Sequence, residues 1–226
     1  MDRRTLMMGA GAGFVALGGY TLLRPTETSV PLLPAGMANA QTADASTGDA
    51  PTVVEMVLGD PDAPVEVIEY ASFTCPHCRT FHENVMPQMK ADYIDPGHVR
   101  FIYREVYFDR FGLWAGMVAR CAGPDRYFGM TDLIYANQAE WTQGSPAEVA
   151  ENLRRIGRMA GLTNEQLDAC LTDADMAQAM IDNYEANMEE HPISGTPAFV
   201  IDGRIHSNMS YADFSSRIDE RLAEAQ

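Results

Sequence analysis

The run VEVIEYASFTCPHC, Val65 to Cys78, restricts the possible folds of this chain more than any other stretch. Residues 65–72 alternate and then turn apolar, as a strand in the middle of a sheet does. Two cysteines follow at once, separated by Pro76 and His77. From Pro76 the period lengthens, and Phe81, Val85, Met89 and Tyr93 fall on one helical stripe. Proline suits the first position of a helix, where its missing N–H is not needed. A strand therefore runs straight into a helix, with the cysteine pair at the joint. Such a pair is a redox dithiol, half of a metal site or a structural link.

The joint has its own chemistry. A helix N-terminus carries unpaired N–H groups and a partial positive charge. Both favour thiolate over thiol at Cys75, and His77 adds to this when protonated or donating. The thiolate is the nucleophile and the better leaving group in disulfide exchange. Cys78, three residues on, lies on the same helical face and is expected to be the more buried. A zinc site would need a second ligand pair. Cys121 and Cys170 form no C-x-x-C of their own, and His82 completes a Cys/His set only if it faces the thiols. Phe81 is expected in the core and His82 at the surface.

The start of the chain bears on the redox compartment. Arg3 and Arg4 precede an apolar run from Leu6 to Leu23, rich in Gly and Ala. Residues 1–40 are expected to be an export signal of twin-arginine type, with a small-x-small cleavage pattern at Ala38-Asn39-Ala40. The other reading is an uncleaved N-terminal anchor, since 18 apolar residues just reach across a bilayer. Outside the cytoplasm disulfides persist. A structural disulfide between Cys121 and Cys170 is then the simple expectation, against two separate buried thiols. Removing residues 1–40 takes away three arginines and two acidic residues, so the net charge moves only from −16 to −17. An acidic chain of this kind is not built for nucleic acid, whose phosphates demand Lys and Arg.

Residues 41–51 are small and polar and read as a linker. Thr52 to Gly59 and His98 to Val106 read as strands, and Pro87 is expected to kink the helix that holds it. From Phe111 to His191 no strand is expected. Helices are expected over 113–122, 124–140, 146–160, 164–171 and 174–190, with Ser145 and Thr163 as N-caps. Then TPAFVIDGRI carries Asp202-Gly203, a two-residue hairpin signal. A helix from Tyr211, capped by Ser210, follows with Tyr211, Phe214, Ile218 and Leu222 on one face. The expected architecture is an α/β domain, residues 52–110 and 192–226, with an all-helical domain inserted at 111–191.

The order strand, C-P-H-C, helix, helical insertion, then Gly195-Thr196-Pro197 before a strand resembles the DsbA family of thiol–disulfide oxidoreductases. The resemblance covers roughly residues 51–226 and implies a thioredoxin fold with an inserted helical domain. It implies that Cys75 is the exposed nucleophile, Cys78 its buried partner and His77 the thiolate-stabilising residue beside Pro76. Pro197 matches the cis-proline that docks substrate backbone. Glu69 matches the buried acid under the active site; as a plain strand residue it would face outward instead. Cys121 and Cys170 resemble a second, non-catalytic disulfide found in part of the family.

The family also implies an activity. A substrate thiolate attacks Cys75 of the oxidised pair, and the substrate's second thiol then displaces Cys75. No cofactor is implied beyond the redox-active disulfide itself, and no metal. Unfolded exported proteins are the implied substrates, in the periplasm, and a quinone-linked membrane partner the implied reoxidant. One departure stands out: Thr196 precedes the proline, where the best-known members carry Val. Thr occurs there in isomerase-type relatives, so disulfide reduction or isomerisation stays open beside oxidation. Only a linker precedes the first strand, where an isomerase-type dimerisation domain would lie, so the expectation is a monomeric oxidase. From a different class, a metal-binding or chaperone-like module would use the dithiol as ligand.

Overall fold

Strand β2 (Val65–Ala71) is buried along almost its whole length, because both of its edges are paired and both of its faces are covered. In the computed structural model, which describes residues 51–224, β2 pairs in parallel with β3 (Val99–Glu105) and antiparallel with β4 (Ala198–Ile201). Antiparallel edges complete the sheet: β1 (Met56–Leu58) on β3 and β5 (Arg204–Ser207) on β4, in the order β1-β3-β2-β4-β5. The tight turn between β4 and β5 places both Asp202 (φ 43°) and Gly203 (φ 78°) in the left-handed region, as an Asp-Gly hairpin requires. The expected export segment and nearly all of the linker lie outside the described residues.

Two helices form one wall of the sheet. Helix α1 (Pro76–Asn84) and α9 (Tyr211–Glu224) meet strand β4 through Phe81, Phe199 and Phe214, with ring centroids 4.7 and 4.9 Å apart along that chain. Each such aromatic pair adds about 0.5–1.5 kcal/mol beyond its buried area. The helix expected to kink at Pro87 instead ends at Asn84 and restarts as α2 (Met86–Met89), followed by a π-turn over Lys90–Ile94. Pro87 has no N–H for the Glu83 carbonyl, so the ladder breaks ahead of it.

Between β3 and β4 come six helices: α3 (Arg110–Cys121), α4 (Tyr127–Ala136), α5 (Gln138–Trp141), α6 (Pro146–Met159), α7 (Asn164–Leu171) and α8 (Ala174–Glu190). Their core runs without a break into that of the sheet, through Ala115, Val118, Tyr127 and Trp141. Helix α8 closes the second sheet face, where Tyr184 and Met188 pack on Ile68, Tyr70, Ile102 and Val200. Capping boxes at Ser145–Glu148 and Thr163–Gln166 start α6 and α7. Cys121 and Cys170 are joined by a disulfide, with their Cα atoms 6.0 Å apart and a sequence separation of 49. A loop of that length is worth about 4 kcal/mol in the chain-entropy picture. Among the described residues no helix is long and apolar enough to cross a membrane.

Two polar anchors tie the insertion to the sheet beside its entry and exit. At the entry, buried Glu105 accepts from Arg120 (2.8 and 2.5 Å) and from the Tyr127 hydroxyl (2.8 Å). At the exit, the Tyr70 hydroxyl sits between Arg104, the Asn187 carbonyl and His191 Nδ1, at 2.8, 3.1 and 2.8 Å. The chain then enters the loop that carries Thr196 and Pro197.

Candidate active site

Cys75 occupies the N-cap of α1, with extended backbone (φ −81°, ψ 120°) and Pro76 as the first helical residue. Its carbonyl accepts from Arg79 N–H at 3.2 Å, the first bond of the helix. The sulfur is half-buried and lies 3.4 Å from the Thr196 carbonyl oxygen. Cys78, one turn on, is completely buried. The Thr196–Pro197 peptide bond is cis, and the buried Pro197 ring follows the carbonyl that Cys75 touches. Residues separated by 121 positions thus form two walls of one small site.

The two thiols are placed to behave differently. The Cys78 thiol, donating to the Cys75 sulfur, contributes most to lowering the Cys75 pKa to about 5; burial opposes the shift, and the backbone N–H groups of Cys78 and His77 add to it. His77 contributes through its main chain, while its imidazole stands exposed on the first turn. Cys78 moves strongly the other way: burial pushes its pKa up, and Cys75 and the Glu69 carboxylate add to the rise. One sulfur is a thiolate at neutral pH and the other is a thiol.

The Cys75 shift carries a pH dependence with a definite sign. In the unfolded chain the thiol titrates near 8.5, and in the folded, reduced protein at about 5. The resulting stabilisation of the reduced fold is complete above about pH 8.5, shrinks as pH falls and is gone below about pH 5. Thiolate absorbance of the reduced protein should therefore titrate with a midpoint near pH 5. A midpoint above pH 7, or no change in the stability gap between reduced and oxidised protein from pH 8 to pH 5, would count against this placement.

Beneath the cysteines lies a polar cluster. The odd-numbered residues of β2 face α1, so Glu69 points inward under Cys78 and is fully buried. His82 corrects the expectation of a surface residue: it is 7% exposed, and its Nε2 lies 2.8 Å from Glu69 Oε2. The reason is spacing. His82 stands four residues after Cys78 and so shares its inward face. Tyr103 and Tyr135 share a hydroxyl–hydroxyl bond of 2.7 Å beside the pair, and the Tyr135 hydroxyl also donates to the Ser72 carbonyl at 3.2 Å. Gln138 donates to the carbonyls of Phe73 and Cys75 at 2.7 and 3.0 Å, which fixes the strand-to-helix joint from the insertion side. Among the described residues no group of three or more His, Cys, Asp and Glu side chains is placed to hold a metal ion.

This geometry has relatives. The family model described as Thioredoxin matches residues 51–220. The chain belongs to the thioredoxin family, in its DsbA-like branch. The crystal structure of alpha-DsbA1 from Wolbachia pipientis superposes with a TM-score of 0.70 at 28% identity, over 77% of this chain and 94% of that one. Disulfide bond formation protein D of Bacillus subtilis is 26% identical over 189 residues, covering 79% of this chain and 82% of the relative. A candidate protein-disulfide oxidoreductase of Rickettsia bellii is 32% identical over 173 residues, covering 76% of this chain and 66% of the relative. The match spans slightly under two thirds of that protein's length and 61% of its Rickettsia conorii counterpart. Within this DsbA-like frame the structure brings Cys75, Cys78, Pro76, Thr196, Pro197 and Glu69 together. Gln138, Tyr103 and Tyr135 carry no local sign of the site in the sequence, and His82 is the inward residue expected at the surface. The first three come from the insertion and from β3, and only the fold joins them to the C-P-H-C segment.

Proposed function

We propose that this chain is a periplasmic dithiol oxidase that introduces disulfides into exported proteins through Cys75 and Cys78. The observation that carries the reading is the asymmetry of the pair: a half-exposed sulfur held as thiolate beside a buried sulfur held as thiol. A stabilised thiolate stabilises the reduced enzyme, which makes its disulfide the stronger oxidant. The attacked sulfur is Cys75, because it alone is accessible. The disulfide itself carries the two electrons, so no dissociable cofactor is required.

Unfolded exported chains fit the second wall of the site. A groove of about 200 Å3 runs from Thr196 and Pro197 along the exposed side of β5, past Ile205 and His206. An extended segment laid there brings its own cysteine to Cys75. A quinone-linked membrane protein is the proposed reoxidant and the working form is a monomer, both inferred from family likeness. Reduction or isomerisation by the same dithiol is the competing direction, and Thr196 is the residue that keeps it in view.

The reduction potential of the Cys75–Cys78 couple decides the direction. Equilibration with glutathione buffers should place it more positive than about −180 mV, the value of an isomerase-type dithiol. A value near −270 mV, typical of a reducing thioredoxin, overturns the oxidase reading.

A further inference from the structure

Between β2 and α1 the chain leaves regular structure, and the carbonyls of Ser72 and Phe73 have no ladder to join. Buried backbone carbonyls are as a rule paired. The helical insertion supplies the partners here. The Tyr135 hydroxyl donates to the Ser72 carbonyl at 3.2 Å, and Gln138 Nε2 donates to the carbonyls of Phe73 and Cys75 at 2.7 and 3.0 Å. Among the described residues the Phe73 carbonyl has no other partner.

The amide of Gln138 is itself held in place. The residue is 4% exposed and opens α5, directly after Asn137 ends α4. Its own carbonyl accepts from the Thr142 N–H and hydroxyl, at 3.2 and 2.7 Å. In the same short helix Glu140 pairs with Arg155 of α6 at 2.8 Å, and the buried Trp141 indole donates to the Ile134 carbonyl of α4 at 2.9 Å. The donor that reaches the strand-to-helix joint is carried by the frame of the insertion.

Of the two carbonyls it holds, that of Cys75 bears on the chemistry. An N-cap side chain faces the N–H groups of the second and third helical residues, here His77 and Cys78. Those groups meet the Cys75 sulfur only while the Cys75 backbone keeps its extended conformation. Three bonds fix that conformation. The Cys75 N–H donates to the Ser72 carbonyl at 3.0 Å, and the Cys75 carbonyl accepts from Arg79 N–H at 3.2 Å and from Gln138 at 3.0 Å. Without the amide, only the Arg79 bond holds the carbonyl side.

We propose that Gln138 is a positioning residue for the dithiol: by holding the Phe73 and Cys75 carbonyls it keeps the first-turn N–H groups on the Cys75 sulfur, so that the helical insertion sets the reactivity of a cysteine in the sheet domain. The inference rests on the reading of Cys75–Cys78 as the redox pair. It makes the insertion a determinant of the potential as well as a cover for the sheet.

Gln138→Leu in the full chain tests this, because leucine keeps much of the bulk and removes both donors. In the reduced variant the ionisation constant of Cys75 should fall about tenfold, the least expected when a hydrogen bond to a charged group is lost. The thiolate absorbance midpoint then moves up by about one pH unit. With less thiolate stabilisation the reduced form is disfavoured, so the equilibrium with glutathione at pH 7 should move about tenfold toward the oxidised enzyme, a potential about 30 mV more negative. A residue that only anchors the insertion would lower stability and leave both readouts where they were, and that result overturns the proposal. Should the variant fail to fold, the side-chain amide of Gln138 in the 15N-labelled wild-type chain gives a second reading. Its signal should titrate with the Cys75 thiolate in the reduced form and stay still in the oxidised form; an amide that ignores the thiolate overturns the proposal. A wild-type chain that exchanges with no dithiol peptide overturns the redox reading itself, whereas an active wild type with an unmoved variant overturns the role of Gln138 alone.

Discussion

Cys78→Ala is expected to convert the protein into a trap that accumulates as a mixed disulfide through Cys75, while Cys75→Ala loses exchange altogether. The difference follows from where each sulfur sits. In the first variant the half-exposed sulfur is still at the N-cap of α1, with the N–H groups of His77 and of residue 78 beside it. It still attacks and is attacked, but no neighbouring thiol displaces the partner. In the second, the surviving sulfur is fully buried, with its pKa pushed far up by burial. Too little thiolate is then present to act as a nucleophile. Mass spectrometry of the two variants after incubation with an oxidised protein mixture separates the outcomes. Adducts on the Cys75→Ala protein, or none on Cys78→Ala, would sink the assignment of nucleophile and partner.

The largest expected effect on stability lies outside the dithiol, at Glu105. Its carboxylate is 4% exposed and receives Arg120 through two nitrogens and Tyr127 through its hydroxyl. Arg120 also donates to the Val54 carbonyl at 2.8 Å, so one guanidinium links β3, α3 and the segment before β1. Glu105→Ala leaves that guanidinium buried without its counter-charge, a situation that costs about 3–5 kcal/mol. Chemical denaturation should show a loss of that size, and Glu105→Leu combined with Arg120→Met should recover most of it. A loss in Glu105→Ala below about 1 kcal/mol, the range of exposed ion pairs, would mean that the pair is effectively solvated.

How far the sequence discloses this protein depends on whether the signal is local. Helices α7 and α8 have the bounds expected for them, because Thr163 with Gln166 and Asp173 write their starts into adjacent residues. Helix α3 begins earlier than expected, at Arg110, because Asp109 accepts from Phe111 and Gly112 N–H and so caps it three residues ahead of the apolar pattern. The helix expected over 124–140 breaks into a 3-10 turn, α4 and α5, since Asn137 turns its side chain back to the Leu133 carbonyl. Strand β1 is only three residues long, because it has one partner and lies at the edge. The C-P-H-C joint was legible because strand, turn and helix are contiguous there. Gln138 was not, since nothing near it in sequence shows that its amide reaches the carbonyls of Phe73 and Cys75. His82 lies between these cases. Its distance from Cys78 pointed inward, yet a histidine beside a charged run reads as solvated until the strand beneath it is known to offer Glu69.

The site's two walls also leave the ribosome at different times. Cys75 precedes Thr196 by 121 residues, and β4, the strand that follows Pro197, pairs with the central strand β2. At roughly 5–20 residues per second, the dithiol exists for about 6–24 s before the loop that will face it has been made. Strand β2 is already made when that interval begins, β3, α1 and the whole insertion are synthesised during it, and both cysteine pairs are complete before it ends. Neither pair ties the last hairpin to the rest. Hairpin docking, rather than any cysteine chemistry of its own, therefore times the moment at which the nascent chain acquires a complete site.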